Sequence, residues 1–374
     1  MIKIVSDSQI PNIEQNLTEF FADEYSLEYF ASDELTSSRL RDVDALLVRS
    51  TIQVDKELCD HSSIKFIGSA TAGINHLDIE YLDTQNISWS HAPGCNAFSV
   101  IHYVMAALGE LIQEGFFNVR QSVGIIGYGN IGKRLYQLLS ALNIEVYACD
   151  PLLKDTHLVT MEKVLSCDLI TIHVPYSKEG AYPTSDLLNQ SHSSFLKNKI
   201  LINTSRGGVV CEKLVTESND LIYVADVWAD EPMPSIITIQ NAFISTPHIA
   251  GYSIEGKING TSEIASECAK AFNCLKESDS IDKQLMNWPH GLEDIVRDMH
   301  AHGFPLAMFK SELDLFAISN AFKDISTHSL SDGFKDLRAN HSPRHDFNAY
   351  SYKDIVNLDE SINLDFFNTL KNIS

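Results

Sequence analysis

The sequence has no apolar run approaching the roughly 18 residues a membrane helix needs, so no transmembrane segment is expected. It is poor in positive charge: 28 lysines and arginines against 50 aspartates and glutamates leave a net charge of −22. That balance argues against nucleic acid or an anionic membrane as a general partner. An anionic small substrate would need a local cluster of donors. The opening residues, MIKIVSDSQI, lack a basic segment followed by a long apolar core, so they read as a short strand rather than a secretion signal. Cysteine offers no framework either. The seven are odd in number, scattered, and contain no Cys-x-x-Cys pair, which suits reduced, mostly buried thiols of a cytoplasmic protein. No internal repeat is visible. What remains is a chain of 374 residues, 44% hydrophobic, long enough for two or three domains with substantial cores.

The rhythm of those residues is α/β. Over residues 1–95 the runs KIVSD, LEYFA, ALLVRS, IKFIGSA and ISWSHA read as strands, with amphipathic segments such as NIEQNLTEFFA between them. CNAFSVIHYVMAALGELIQEG is apolar over most of its surface and predicts a buried helix. A second series follows: SVGIIGYG, EVYACD, DLITIHVP, KILINTS, LIYVADVW and AFISTPH. Several of these are apolar without alternation, as strands covered on both faces should be. A helical pattern from Ser253 to Leu275 could carry the chain back to the first domain, and KESDSIDKQ (276–284) reads as a linker. The last 90 or so residues are richer in aromatics, histidine and charge and lose the α/β rhythm. The expected architecture is two doubly wound parallel-sheet domains, one of them discontinuous, followed by a separate C-terminal domain.

GIIGYGNIGKRLYQLL carries the strongest local signal. Gly127-x-Gly129-x-x-Gly132 follows a β-like run and opens a helix with Ile131, Leu135, Leu138, Leu139 and Leu142 on one face. In such a loop the first glycine permits the tight turn and the second lets backbone approach a pyrophosphate. The third allows close helix–strand packing, and the helix N-terminus faces the anion. Asn130 and Ile131 lie within the same cofactor loop. The next strand ends at Asp150, where a carboxylate can accept from the adenosine ribose hydroxyls and would repel a 2′-phosphate, so NAD is expected over NADP.

Three later strand ends each offer one polar group: INTSRGG gives Arg206, ADVWADEP gives Asp226 and Glu231, and STPHIAG gives His248. Ligands of open α/β sheets gather at the carboxyl ends of strands. Singly, Arg206 could be a surface ion-pair former, Glu231 part of an exposed turn and His248 a strand-end cap. Together, behind a dinucleotide loop, they suit hydride transfer coupled to proton transfer. A hydroxyl releases hydride only as its proton leaves, histidine titrates near neutrality, a glutamate can fix its tautomer, and an arginine can hold a carboxylate.

Taken with NTSRGG, DVWADEP and TPHIAG, the glycine loop and Asp150 resemble the NAD-dependent D-2-hydroxyacid dehydrogenases. The resemblance covers residues 1–275. It implies a substrate domain of residues 1–95 and 253–284, an inserted Rossmann NAD-binding domain of residues 96–252, and catalysis by Arg206, Glu231 and His248. LVRSTIQV, GSATAGINHLD, APGCNAFSV and HIAGYSIEGKINGT are similar to a branch of that family acting on a phosphorylated hydroxy acid. That likeness implies a C-terminal α+β domain, residues 285–374, that forms a homodimer. It also implies substrate contacts at Ser50, Thr71 and Tyr252, and an NAD site lined by Asp150, Val174, Thr204, Ser205, Arg206, Asp226 and Gly251. Val174 stands where related chains can carry threonine, and the segment between Arg206 and Glu231 is a few residues shorter than expected.

Arg49, Ser50 and Thr51 at one strand end, Ser69, Thr71 and Gly73 at another, and Lys257 are plausible anion donors, or ordinary strand-end turn residues. Arg338 and Arg344 could reach a partner's site in a dimer. His300 and His302 lack cysteines or carboxylates at ligand spacing, so no metal is expected. Cys95 is assigned to packing, because hydride transfer needs no covalent intermediate. The alternatives are a relative acting on another 2-hydroxy acid and a non-catalytic NAD-sensing protein.

Overall fold

The computed structural model describes residues 1–31, 34–276, 285–359 and 362–373. Nearly all of the segment expected as a linker, 277–284, lies outside them. The chain divides into two compact units, Met1–Ala97 with Ser253–Gln284 and Phe98–Tyr252 with Leu285–Ser374.

The first unit is built on β1 (Ile2–Asp7), β2 (Tyr25–Phe30), β3 (Ala45–Val48), β4 (Phe66–Ser69) and β5 (Ser88–His91). All pair in parallel, in the order β2-β1-β3-β4-β5. Every residue of β3 and β4 is buried, which explains why those runs are apolar without alternation. The Ile254–Ala271 helix packs on this sheet through Ile264, Ala265, Cys268 and Ala269, so the chain does return to the first unit after the second sheet. Its N-cap Ser253 accepts from the Gly256 amide, and its mixture of small and apolar residues on one face fits close packing.

The second unit holds β6 (Val123–Ile126), β7 (Val146–Cys149), β8 (Leu169–Ile172), β9 (Ile200–Asn203), β10 (Ile222–Ala225) and β11 (Ile244–Ser245). They form a parallel sheet in the order β11-β10-β9-β8-β6-β7. An isolated parallel bridge, Ala148 with Leu158, continues it beyond β7. With that bridge the order is that of a Rossmann sheet whose third strand has shrunk to one pair. The order reverses between β6 and β8, so the ligand crevice is expected at their carboxyl ends. The apolar helix Ala97–Gln113 runs within the core of this unit, with Tyr103 to Leu108 wholly buried.

The C-terminal segment belongs to the second unit and is mostly helical: Leu292–His302, Leu306–Lys310, Leu315–Lys323, Leu330–Ala339 and Leu364–Ile373. Its only strands among the described residues, β12 (Met286–Asn287) and β13 (Tyr350–Ser351), pair with each other. The Leu315–Lys323 helix covers the exposed edge of β11, where Ser319 Oγ accepts from the Ser245 amide at 3.0 Å. A free sheet edge invites pairing with another chain, and this helix closes it. His300 ends up in the last turn of its helix, paired with Asp359 at 2.5 Å.

Candidate active site

Most residues expected at the cofactor and catalytic centre of the second unit lie just beyond the carboxyl end of a strand, and Glu231 and Gly251 lie further along the same loops. Gly127 follows β6, Asp150 follows β7, His173 and Val174 follow β8, Thr204 to Arg206 follow β9, Asp226 follows β10 and Thr246 to His248 follow β11.

The glycine loop has the shape a pyrophosphate needs. Gly127 has φ +95°, and a Cβ there would collide with the His173 carbonyl and the Val174 side chain. Val174 therefore acts by packing against the turn. A Cβ on Gly132 would collide with the Gly127 carbonyl, so the helix Gly132–Ala141 starts as close to the turn as backbone allows. Gly129 is different: nothing lies within 4 Å of the place its Cβ would occupy. The fold leaves that position open, which fits an anion resting on the loop. Asp150 is tied to the same loop, its Oδ2 accepting from the Tyr128 amide at 3.0 Å and its Oδ1 from the Leu152 amide at 3.1 Å. Asn130 is exposed, and its carbonyl accepts from Arg134; Ile131 turns partly inward. The residues present thus fit NAD. Gly129→Ala is expected to leave the thermal midpoint unchanged while weakening NADH binding about tenfold or more, read by fluorescence titration.

The catalytic residues converge without any cofactor. His248 Nδ1 lies 2.6 Å from Glu231 Oε2, and Glu231 Oε1 accepts from the Trp228 amide at 2.9 Å. Burial pushes the Glu231 carboxyl up. The His248 charge and hydrogen bond, the Trp228 amide and the positive charge of Arg338 outweigh it, and the carboxyl sits below the usual range. His248 itself has φ +57°, a left-handed conformation that histidine adopts more readily than most residues.

Asp226 is 1% exposed and spends its carboxylate on the loop that carries His248. It accepts from Thr246 Oγ1 at 2.7 Å, the Ile249 amide at 2.7 Å and the Ala250 amide at 2.8 Å. Burial raises its pKa, and the nearby His248 charge and those three donors oppose the rise. Beneath it, Tyr103 Oη and Thr246 Oγ1 are 2.6 Å apart, and Trp228 Nε1 donates to the Thr246 carbonyl at 2.9 Å. Gly251 sits in the turn closed by the Tyr252 amide donating to the Ile249 carbonyl.

Arg206 projects from a turn held by Asn203, whose Oδ1 accepts from the Ser205 amide and hydroxyl at 3.1 and 2.9 Å. Its guanidinium donates to the Ser205 carbonyl at 2.7 Å. Burial lowers its pKa, with Glu231 opposing. Thr204 Oγ1 is buried without a hydrogen-bond partner among the described residues.

Two features escaped the sequence. Asn203 was legible in principle, because asparagine two residues before serine is an Asx-turn signal. The other is the place of Arg344, which the sequence offered only as a reach into a partner's site and which is instead buried against its own chain. It is 1% exposed and donates to the Ala250 carbonyl at 2.9 Å, the Ser99 carbonyl at 3.1 Å and Asp346 Oδ1 at 3.1 Å. No spacing rule links residues 94 positions apart.

In the first unit, Ser50 is exposed after β3, and Thr71 Oγ1 lies 2.9 Å from Ser69 Oγ and donates to the Gly73 carbonyl. Ser69 Oγ also meets His76 Nε2 at 2.8 Å, and burial pushes His76 down to about 4. Partial burial lowers the Lys257 ammonium and the neighbouring Arg49 charge adds to it; Arg49 Nε itself is paired with Asp7 Oδ2 at 2.9 Å. Cys95 is held in its thiol form, pushed up by burial to about 12.

Residues 114–250 match the model of the D-isomer specific 2-hydroxyacid dehydrogenase NAD-binding domain. Among solved structures, NAD-bound 3-phosphoglycerate dehydrogenase from Entamoeba histolytica superposes with a TM-score of 0.60 at 24% identity, covering 73% of this chain and 95% of that one. D-lactate dehydrogenase from Aquifex aeolicus gives 0.58 at 21% identity, with coverage of 73% and 95%. At those identities the likeness shows the fold. Sequence relatives go further. The erythronate-4-phosphate dehydrogenase of Hahella chejuensis is 40% identical over 269 residues, 70% of each chain. That of Cellvibrio japonicus is 32% identical over 373 residues, 94% of this chain and 95% of its own, so the likeness runs through the C-terminal segment as well. A similarity of that length, on a chain whose strand ends carry this arginine, glutamate and histidine, places it in the erythronate-4-phosphate dehydrogenase family of the NAD-dependent D-2-hydroxyacid dehydrogenases.

Proposed function

We propose that this enzyme oxidises 4-phospho-D-erythronate to 2-oxo-3-hydroxy-4-phosphobutanoate with NAD, a step toward pyridoxal 5′-phosphate, as a cytoplasmic homodimer joined through the C-terminal segment. The observation that carries the chemistry is the 2.6 Å contact of His248 Nδ1 with Glu231. It assigns the proton to Nδ1 and leaves Nε2 as the base. The substrate comes from the names of the relatives, whose similarity spans nearly the whole chain.

Bound NAD would supply the acceptor for the hydride that leaves C2 of the substrate. Gly127, Gly129, Asn130, Ile131 and Gly132 would cradle the pyrophosphate, and Asp150 would take the adenosine ribose. Val174, Thr204, Ser205, Arg206, Asp226 and Gly251 would line the rest of the NAD site, Asp226 by fixing the backbone of the loop. His248 Nε2 accepts the C2 hydroxyl proton as the C2–O bond gains double-bond character. Glu231 stabilises the imidazolium so formed. Arg206 holds the substrate carboxylate and polarises the reacting oxygen. Ser50, Thr71 and Tyr252 are the proposed substrate contacts.

The test follows NADH formation with 4-phosphoerythronate, 3-phosphoglycerate and glycerate, with and without a 2-oxoacid acceptor. 4-Phosphoerythronate is expected to lead in kcat/KM by about tenfold or more. Preference for a three-carbon acid would overturn the substrate assignment.

A further inference from the structure

Resting on that reading of the active site, we infer that Arg338, from the C-terminal helix Leu330–Ala339, is a substrate ligand that binds the phosphate group and sets specificity for phosphorylated acids. The guanidinium carbon lies 5.4 Å from the centre of the Tyr252 ring and 5.7 Å from that of Phe334. Stacking of this kind orients the planar guanidinium while leaving its N–H edge available.

That edge has no protein partner. Arg338 makes no hydrogen bond or ion pair among the described residues, and its Nε is buried without an acceptor. In a chain of net charge −22, carboxylates to pair with are not scarce. A buried donor left unmade costs free energy, and arginine is suited to gripping phosphate with two parallel hydrogen bonds. The position is also right. Tyr252 lies four residues after His248, and the Arg338 charge acts on Glu231, the partner of His248. The guanidinium is therefore beside the reacting centre but not committed to it. Arg206 already supplies the fork for the carboxylate, which leaves the distal anion of the substrate for Arg338.

The roles of the two C-terminal arginines separate on this view. Arg344 is wholly buried and commits both terminal nitrogens to protein groups, Nη1 to Asp346 and Nη2 to the Ser99 and Ala250 carbonyls, so only its Nε lacks an acceptor; Arg338 is partly exposed and its guanidinium makes no hydrogen bond among the described residues.

The test uses the full-length enzyme, with Arg338→Met to keep the stem and remove the fork, and Arg338→Lys to keep the charge. KM for 4-phosphoerythronate, the inhibition constant of unphosphorylated D-erythronate and NADH affinity are measured for each. In Arg338→Met, KM for the phosphorylated substrate is expected to rise about 10- to 100-fold. Its kcat should change little, and D-erythronate and NADH should bind as in the wild type. Arg338→Lys should fall between, and it carries the test alone if the methionine variant does not fold. An equal loss for D-erythronate and the phosphorylated substrate, or a shifted pH profile at unchanged KM, would show that Arg338 acts only through Glu231 or packing and would overturn the assignment. Absence of wild-type turnover on 4-phosphoerythronate sinks the function itself and this inference with it. Normal wild-type turnover with an unaffected variant sinks the inference alone.

Discussion

His248→Ala is expected to lower kcat by about 10²- to 10⁴-fold, the range for removal of a positioned acid/base, while NADH binds with wild-type affinity. The geometry separates the two effects. The histidine sits on a loop held from below by Asp226, which bonds Thr246 Oγ1 and the Ile249 and Ala250 amides, so loss of the imidazole leaves the backbone anchors in place. The glycine loop and Asp150 are on other strands and share no hydrogen bond with the ring. Glu231→Gln should lose a comparable amount. Glutamine reaches the same distance but carries no charge to stabilise the imidazolium. Steady-state kinetics with an NADH titration checks both. His248→Ala turning over at the wild-type rate would remove it from the mechanism. Loss of NADH affinity in step with kcat would show that the loop, and not the base, had been damaged.

The sequence made most of this arrangement legible because strand ends in a parallel sheet are marked locally. GIIGYGNIG announces its own turn, and Arg206, Glu231 and His248 each follow an apolar run closely enough to be placed by counting. The strands come out about where those runs lie, trimmed at their ends as polar residues such as Arg49 and His173 leave the sheet. Asp226 shows where that logic stops. Its place beyond β10 is readable, but not that its carboxylate is taken up by the Thr246 hydroxyl and the Ile249 and Ala250 amides past the end of the neighbouring strand. The C-terminal segment shows the limit more sharply. Its residues carry no α/β rhythm because they build helices that pack against the nucleotide-binding sheet. The contacts that matter, Ser319 to Ser245 and Arg344 to Ala250, join positions 74 and 94 apart in the chain. Only three-dimensional packing brings them together.

Arg344→Met is expected to cost about 3–5 kcal/mol of stability, the usual penalty for breaking a buried ion pair from one side. Arg344 and Asp346 are each 1% exposed, and their charges lie 3.1 Å apart. Without the arginine, Asp346 loses the cation beside it; the Ser99 hydroxyl at 3.0 Å is a neutral donor, and His102 Nδ1 stands at 3.9 Å. His102 is fully buried, and burial together with the Arg344 charge holds its pKa well below the ordinary value, so it stands neutral and offers no compensating charge. The same substitution takes the donor from the Ala250 carbonyl, two residues past the catalytic histidine, so kcat should fall about tenfold or more as the loop loses one of its anchors. Stability and positioning can be told apart with the double variant Arg344→Met/Asp346→Leu. Removing both charges in favour of apolar groups should restore most of the stability, because the desolvation of each is relieved. It cannot restore the bond to Ala250, so kcat should stay low. Denaturant midpoints followed with kcat on the same three proteins decide the matter. If the double variant recovers both, Arg344 stabilises the unit without aiming His248; if it recovers stability alone, the C-terminal segment is part of what holds the base in place.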